Sequence, residues 1–309
     1  YCDHRDLHSF PTRRSSDLDR LNGEEQPNLG RLNLNGMVDH SFTGSALDQV
    51  NSLAIQPDGC ILVGGQFIRL SGVNHNYFGR LYEDGSMDVH IYTPADYKVS
   101  TIALQPDGKI ILGGDFTSIS GQDQYGLSRM YPSGVLDLSF NAGVDYFVYA
   151  IAVQPDGKII VGGEFSTLNG QPRDNLGRLN ADGTLDNSFT IGTDGPVHSI
   201  AIQPDGKILI GGDFDHVGAS TRYNIARINA NGTLDTNFTT SVSGKVFTIT
   251  YQNGRILIGG NFFSIGLETR NNIARLKSDG VVDSSFNPHA NGTVFSIIIQ
   301  EDGYALVGG

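Results

Sequence analysis

The chain has 309 residues, of which 39% are hydrophobic and 17% charged, with 40 glycines, no tryptophan and a formal net charge of −12. These proportions describe a turn-rich globular chain long enough to bury a core, and no stretch approaches the roughly 18 apolar residues of a membrane-spanning helix. So acidic a surface repels phosphate backbones, which argues against nucleic acid as a partner.

Residues 1–18 stand outside every pattern that follows. Residues 8–18 (His-Ser-Phe-Pro-Thr-Arg-Arg-Ser-Ser-Asp-Leu) are what one reading frame of a common sequencing-library adapter encodes. Residues 1–18 are therefore expected to be a non-native leader, and residues 19–309 a single domain. With Cys2 in that leader, Cys60 is left alone, with no partner for a disulfide or a thiolate metal cage. It occupies the turn position that other repeats give to Lys109, Lys158 and Lys207, and is expected to be exposed.

From residue 19 onward two phrases recur six times. The first is an apolar stretch, a turn and a double glycine, as in residues 199–212 (Ser-Ile-Ala-Ile-Gln-Pro-Asp-Gly-Lys-Ile-Leu-Ile-Gly-Gly). Its second glycine falls at Gly65, Gly114, Gly163, Gly212, Gly260 and Gly309, in steps of 49, 49, 49, 48 and 49. A period of this size marks a propeller or solenoid built from one supersecondary unit. In the cleanest copy, β-branched runs flank Gln203-Pro204-Asp205-Gly206. Pro presets φ and Gly takes the left-handed site, which predicts a hairpin closed by a type I turn with a glycine bulge. Ile202 then faces Ile208 and Ile200 faces Ile210, with Ala201 and Leu209 on the other side. Both faces are apolar, so the hairpin must be covered on both sides.

The second phrase begins Arg-Leu and forms a second hairpin around Ala-Asp-Gly or a similar turn. Counting outward from the turn in residues 178–189, Leu179 faces Leu185 and Arg178 faces Asp186. The same spacing joins Arg31 to Asp39, Arg80 to Asp88, Arg129 to Asp137, Arg227 to Asp235 and Arg275 to Asp283. Six cross-strand ion pairs at one place in the unit read as structural clasps rather than ligand groups. Three residues after each Asp stands an aromatic anchor, Phe42, Phe140, Phe189, Phe238 or Phe286; the second copy has Ile91 instead.

Four short strands per unit, apolar faces and no helical periodicity predict an all-β, six-bladed β-propeller of about 49-residue blades. A β-helix, the competing solenoid, has shorter coils without two alternating tight hairpins. Residues 19–44 supply the outer strands, and residues 294–309 the inner strands, of one remaining unit. Pairing of these N- and C-terminal half-blades is expected to close the sheet edges. An adapter at one end and a stop in mid-repeat at the other lead to the expectation of a fragment of a longer protein.

Residues 154–165 (Gln-Pro-Asp-Gly-Lys-Ile-Ile-Val-Gly-Gly-Glu-Phe), followed by residues 178–189 (Arg-Leu-Asn-Ala-Asp-Gly-Thr-Leu-Asp-Asn-Ser-Phe), resemble the bacterial delta-60 repeat, a propeller family. The resemblance covers residues 19–309. It implies a secreted or surface-attached bacterial protein, often multidomain, and brings no catalytic residues with it. Kelch propellers are similar in the double glycine, but their tryptophan is absent here.

Candidate chemistry is sparse. The Asp-Gly turns, such as Asn180-x-Asp182-Gly183-x-x-Asp186, resemble calcium loops but lack the distal bidentate Glu, and hairpin geometry already accounts for each acid. Calcium is thus the one metal the sequence raises, and no cofactor is expected. The double glycines precede no Walker lysine, so close strand approach explains them better than phosphate binding. No His-Glu-x-x-His or Gly-x-Ser-x-Gly motif occurs. The reading is a non-catalytic binding or scaffolding module with a protein or glycan partner; the alternative is a propeller hydrolase with an acid/base pair in the axial channel. Contact is expected where the repeats differ, at loops 66–78, 115–127, 164–176, 213–225 and 261–273 and at the links into each inner strand. Those links carry Asp96, Tyr97, Asp145, Tyr146 and His289, acid and aromatic groups suited to a cationic or polar partner.

Overall fold

Short β-branched runs cut by tight turns give strands of two to eight residues and no helix among the described residues. The structure is a computed structural model that describes residues 7–8, 20–21, 24–33, 35–300 and 303–309. Apart from Leu7–His8, the expected leader lies outside these. The architecture is an all-β, repeat-based propeller whose blades are antiparallel sheets. The chain divides into two compact units, Tyr1–Ser139 and Phe140–Gly309.

Within Phe140–Gly309, three blades share one plan. An inner strand (Phe147–Val153, Val197–Ile202, Lys245–Gln252) pairs with a middle strand (Ile159–Glu164, Ile208–Gly212, Arg255–Asn261). The middle strand pairs with a third (Leu176–Leu179, Ile225–Ile228, Ile273–Lys277). A further pair, Ser296–Ile299 and Ala305–Gly308, repeats the first hairpin. Tyr1–Ser139 holds two three-stranded blades of the same plan, Val50–Ile55/Ile61–Gly65/Phe78–Leu81 and Val99–Leu104/Ile110–Gly114/Leu127–Met130. The registers are those expected: Ile202 opposes Ile208, Ile200 opposes Ile210, and Gly206 sits at φ +80°. Ile208, Leu209 and Ile210 are all fully buried, so both faces of the middle strand are covered.

The fourth strand is shorter than expected, reduced in each blade to a one-residue bridge such as Leu179 to Leu185 or Ile228 to Leu234. The cause is local. Asp186 Oδ1 accepts the Ser188 amide at 3.0 Å and the Asp186 carbonyl accepts the Phe189 amide at 3.2 Å, turning the chain away at once. The strand Gly30–Arg31, expected beside residues 294–309, is paired with Leu7–His8. The step of 48 also has a cause: Asn253 (φ 51°) and Gly254 (φ 77°) form a two-residue turn where other blades use three.

The double glycines permit two different approaches. At Gly211 a Cβ would lie 2.6 Å from Val246 Cγ1, on the inner strand of the following blade. At Gly212 it would lie 2.0 Å from the Pro196 carbonyl, because the inner strand bulges between Val197 and Ser199. The bulge recurs in the other complete blades, between Val50 and Ser52, Val99 and Thr101, Val148 and Ala150, and Val246 and Thr248.

The arginines both clasp their own blade and reach the next. Arg178 Nε donates to Asp186 Oδ2 at 2.8 Å, and its NH1 donates to the Ala230 carbonyl, in the outer turn of the following blade, at 2.7 Å. Its guanidinium lies 4.7 Å from the Phe189 ring centre. Phe189 in turn fills the space under Gly232 (φ +90°), where a Cβ would stand 2.9 Å from the ring. The arrangement recurs: Arg31, Arg129, Arg227 and Arg275 lie 2.8–2.9 Å from Asp39, Asp137, Asp235 and Asp283, and Arg80 holds Asp88 at 2.5 Å. Arg31 and Arg80 reach the carbonyls of Glu83 and Pro132, and Arg227 that of Ser278. A lysine from the first hairpin joins several clasps, Lys158 to Asp186 at 2.8 Å and Lys207 to Asp235 at 3.0 Å. Burial raises the Asp137 carboxyl, but bonds from Ser139 and the Arg129 charge outweigh it and hold the group at about 2.

Asp182 is likewise committed, accepting the Thr184 amide at 2.9 Å and its hydroxyl at 2.7 Å. Among the described residues no group of three or more His, Cys, Asp or Glu is arranged to hold a metal ion. Cys60 is half-buried rather than exposed, and burial pushes its thiol pKa up. No helix of the described residues is long and apolar enough to cross a membrane.

Candidate functional site

The expected variable loops are more regular than their sequences suggest. Each holds a two-residue hairpin: Arg69–Leu70 with Val73–Asn74, Ser118–Ile119 with Gln122–Asp123, Thr167–Leu168 with Gln171–Pro172, His216–Val217 with Ser220–Thr221, and Ser264–Ile265 with Glu268–Thr269. These tabs bridge to the link that leads into the inner strand, as in Val144 to Leu168 and Thr193 to Val217.

The link acid secures each tab. Asp145 accepts the Ser166 and Thr167 amides at 2.9 Å and the Ser166 hydroxyl at 2.5 Å. Asp96 does the same with Thr117 and Ser118 at 2.6–3.0 Å. Asp194 takes the Asp215 and His216 amides, and Ser243 fills the position in the next blade. Burial raises the Asp96 and Asp145 carboxyls, yet these bonds keep both below the usual carboxylate range. Asp96 and Asp145 thus hold the surface in shape, a role their composition alone does not announce. An asparagine with positive φ completes the joint: Asn175 Nδ2 donates to the Thr193 carbonyl at 2.8 Å while its Oδ1 accepts the Phe165 amide at 3.3 Å.

The tyrosines beside those acids are outward. Tyr146 is 53% exposed and its ring lies 3.7 Å from that of Phe147; Tyr97 is 57% exposed and 5.9 Å from Tyr77. His289 is exposed on its own link, at φ 53°. Asp145 and Tyr146 share a cavity of about 490 Å³ with Glu164, Phe165, Ser166, Asp174, Asn175, Thr193 and Asp194. That lining carries four carboxylates and no lysine or arginine. One blade further on, a cavity of about 280 Å³ has Tyr223 and Ser243 in the places of Asp174 and Asp194.

Sequence reasoning missed a second feature. The bulge of each inner strand turns one side chain outward from the ladder, and in the second unit these are Tyr149, His198 and Phe247, with Phe295 at the corresponding place. Their ring centres follow one another at 5.2 Å steps. Tyr149 also donates its hydroxyl to Glu164 at 3.0 Å, tying the row to the cavity. Aligning the six repeats column by column would have exposed it, since the first two copies have Asn51 and Ser100 there.

Comparison with curated proteins returns no match. Among solved structures, the WD40 beta propeller domain of Doa1 is similar with a TM-score of 0.61 at 13% identity, covering 85% of this chain and 76% of that one. PorZ, a surface component of the type-IX secretion system of Porphyromonas gingivalis, is similar with a TM-score of 0.50 at 16% identity, covering 85% of this chain and 37% of PorZ. At such identities the likeness is one of fold. The model of the DUF5122 beta-propeller, a domain of unknown function, matches residues 56–90, 105–140, 154–189, 203–238 and 252–286. Those stretches make up more than half of the chain, which therefore belongs to the DUF5122 beta-propeller family.

Proposed function

We propose that the chain is a non-catalytic binding or scaffolding module of a secreted or cell-surface bacterial protein, built from delta-60 repeats, whose partner is a protein or a glycan. The observation that carries this reading is the division of its side chains. Residues that recur from blade to blade are consumed by hairpins, clasps and most of the tab anchors. Tyr146, Glu164 and Asp174, which differ between blades, face a cavity of about 490 Å³ beside the anchors Asp145 and Asp194. A concave site with a few polar groups, placed where a rigid scaffold varies, suits recognition. Likeness in fold to a bacterial surface component is in keeping with the location. Delta-60 membership draws its support from residues 154–165 and 178–189, quoted above.

A panel of immobilised peptides and glycans tests the reading. A ligand is expected whose binding falls at least about tenfold in Tyr146→Ala and is unchanged in Asp205→Ser at the opposite, uniform turns. Hydrolysis of ester, lactone or glycoside substrates by the chain, abolished in Glu164→Gln, would instead establish the propeller hydrolase.

A further inference from the structure

The row of rings and the acidic cavity meet at one hydrogen bond, that of Tyr149 to Glu164. Tyr149, His198, Phe247 and Phe295 are all half-buried, and successive planes are tilted by 38°, 50° and 40°. On the other side of Tyr149 the rings of Phe147 and Tyr146 continue to the cavity rim. Glu164 and Asp174 face that cavity together with the two tab-anchoring acids, and no cation lines it. An aromatic face is electron-rich, so it attracts cations most strongly where water is partly excluded. A neighbouring carboxylate adds charge and directional acceptors, and a planar guanidinium uses both better than an ammonium does. Neighbouring planes tilted by 34° to 50° offer a sugar face one ring at a time, whereas a guanidinium on a flexible stem can settle over any of them.

We infer that this row and cavity bind an arginine side chain presented by an extended peptide, its guanidinium beside Tyr146 and Glu164 and its flanking residues along His198, Phe247 and Phe295. The inference rests on the binding-module reading and adds the chemistry of the partner. Charge complementarity supports it, since the chain carries −12 formally and the cavity lining is wholly acidic or neutral.

The test uses the full chain and two capped tripeptides, Gly-Arg-Gly and the same peptide with citrulline, a neutral isostere, followed by calorimetry or NMR titration. The arginine peptide is expected to bind about tenfold or more tightly than its citrulline twin, and less tightly as salt rises. Phe247→Ala and Glu164→Gln are each expected to weaken it several-fold, with circular dichroism confirming the fold. The more exposed Tyr146→Ala serves as a second variant if Phe247→Ala unfolds. Equal affinity for both peptides, no binding at millimolar concentration, or a preference for a neutral oligosaccharide sensitive to Phe247→Ala would overturn the inference. The last outcome would leave the binding-module reading standing, whereas substrate turnover lost in Glu164→Gln would remove that reading itself.

Discussion

Gly212→Ala is expected to destabilise the chain by roughly 3–5 kcal/mol. The added methyl would sit 2.0 Å from the Pro196 carbonyl and 2.9 Å from Phe214 Cδ1. No rotamer change relieves the first clash, because the backbone fixes the Cβ, its partner is a backbone carbonyl, and the bulge that creates the contact belongs to the sheet. Gly211→Ala meets only side chains, Val246 Cγ1 at 2.6 Å and Ile249 Cδ1 at 2.7 Å. Those can shift, so its cost is expected to be about 1–3 kcal/mol. Gly254→Ala finds open space and meets only the penalty of φ +77°, about 1–2 kcal/mol. Urea unfolding of the three variants should rank them in that order. A Gly212→Ala chain as stable as Gly254→Ala would mean that the inner strand does not bulge.

Arg178→Ala is expected to cost about 3 kcal/mol or more. Arg178 is 3% exposed, and its loss removes the bond to Asp186, the bond to the Ala230 carbonyl of the next blade, the bond to the Ser188 hydroxyl and the stacking on Phe189. Asp186 then remains buried with Lys158 as its one cation among the described residues. Arg178→Lys should recover little, since one ammonium cannot reach both the carboxylate and the carbonyl. The more exposed Arg275, with 28% of its side chain open to solvent, should cost less when removed. Equal losses at Arg178 and Arg275 would show that burial does not govern the clasp.

Much of this scaffold was legible from spacing. A fixed turn sets the register of the strands on either side, so Arg178 opposite Asp186 and Ile202 opposite Ile208 could be counted from Gly183 and Gly206. The reach of Arg178 to Ala230 could not, because it depends on how one blade lies on the next. The fourth strand was overestimated because Asp186 looks like a strand residue until its carboxylate turns the chain. The tabs look like loops in the sequence because two-residue strands are too short to show alternation. Asp96 and Asp145 look by composition like ligand groups, yet each bonds to amides about 21 residues away, a distance in sequence that composition does not reveal. The aromatic row escaped because a bulge shifts alternation by one residue, so period-two counting assigns Tyr149, His198 and Phe247 to the wrong face.

Some carboxylates hold the scaffold and others remain for contact, and the thermal unfolding midpoints of Asp186→Asn and Glu164→Gln test that division most directly. Asp186 is 7% exposed and bonded to Arg178, Lys158 and Ser188, so losing its charge strands two cations. Its midpoint should fall by on the order of 5–10 °C. Glu164 is exposed and accepts one tyrosine hydroxyl, so Glu164→Gln should unfold within about 1 °C of the parent chain. Equal shifts, or a larger fall for Glu164→Gln, would contradict the division and with it the assignment of contact to the varied end of the blades.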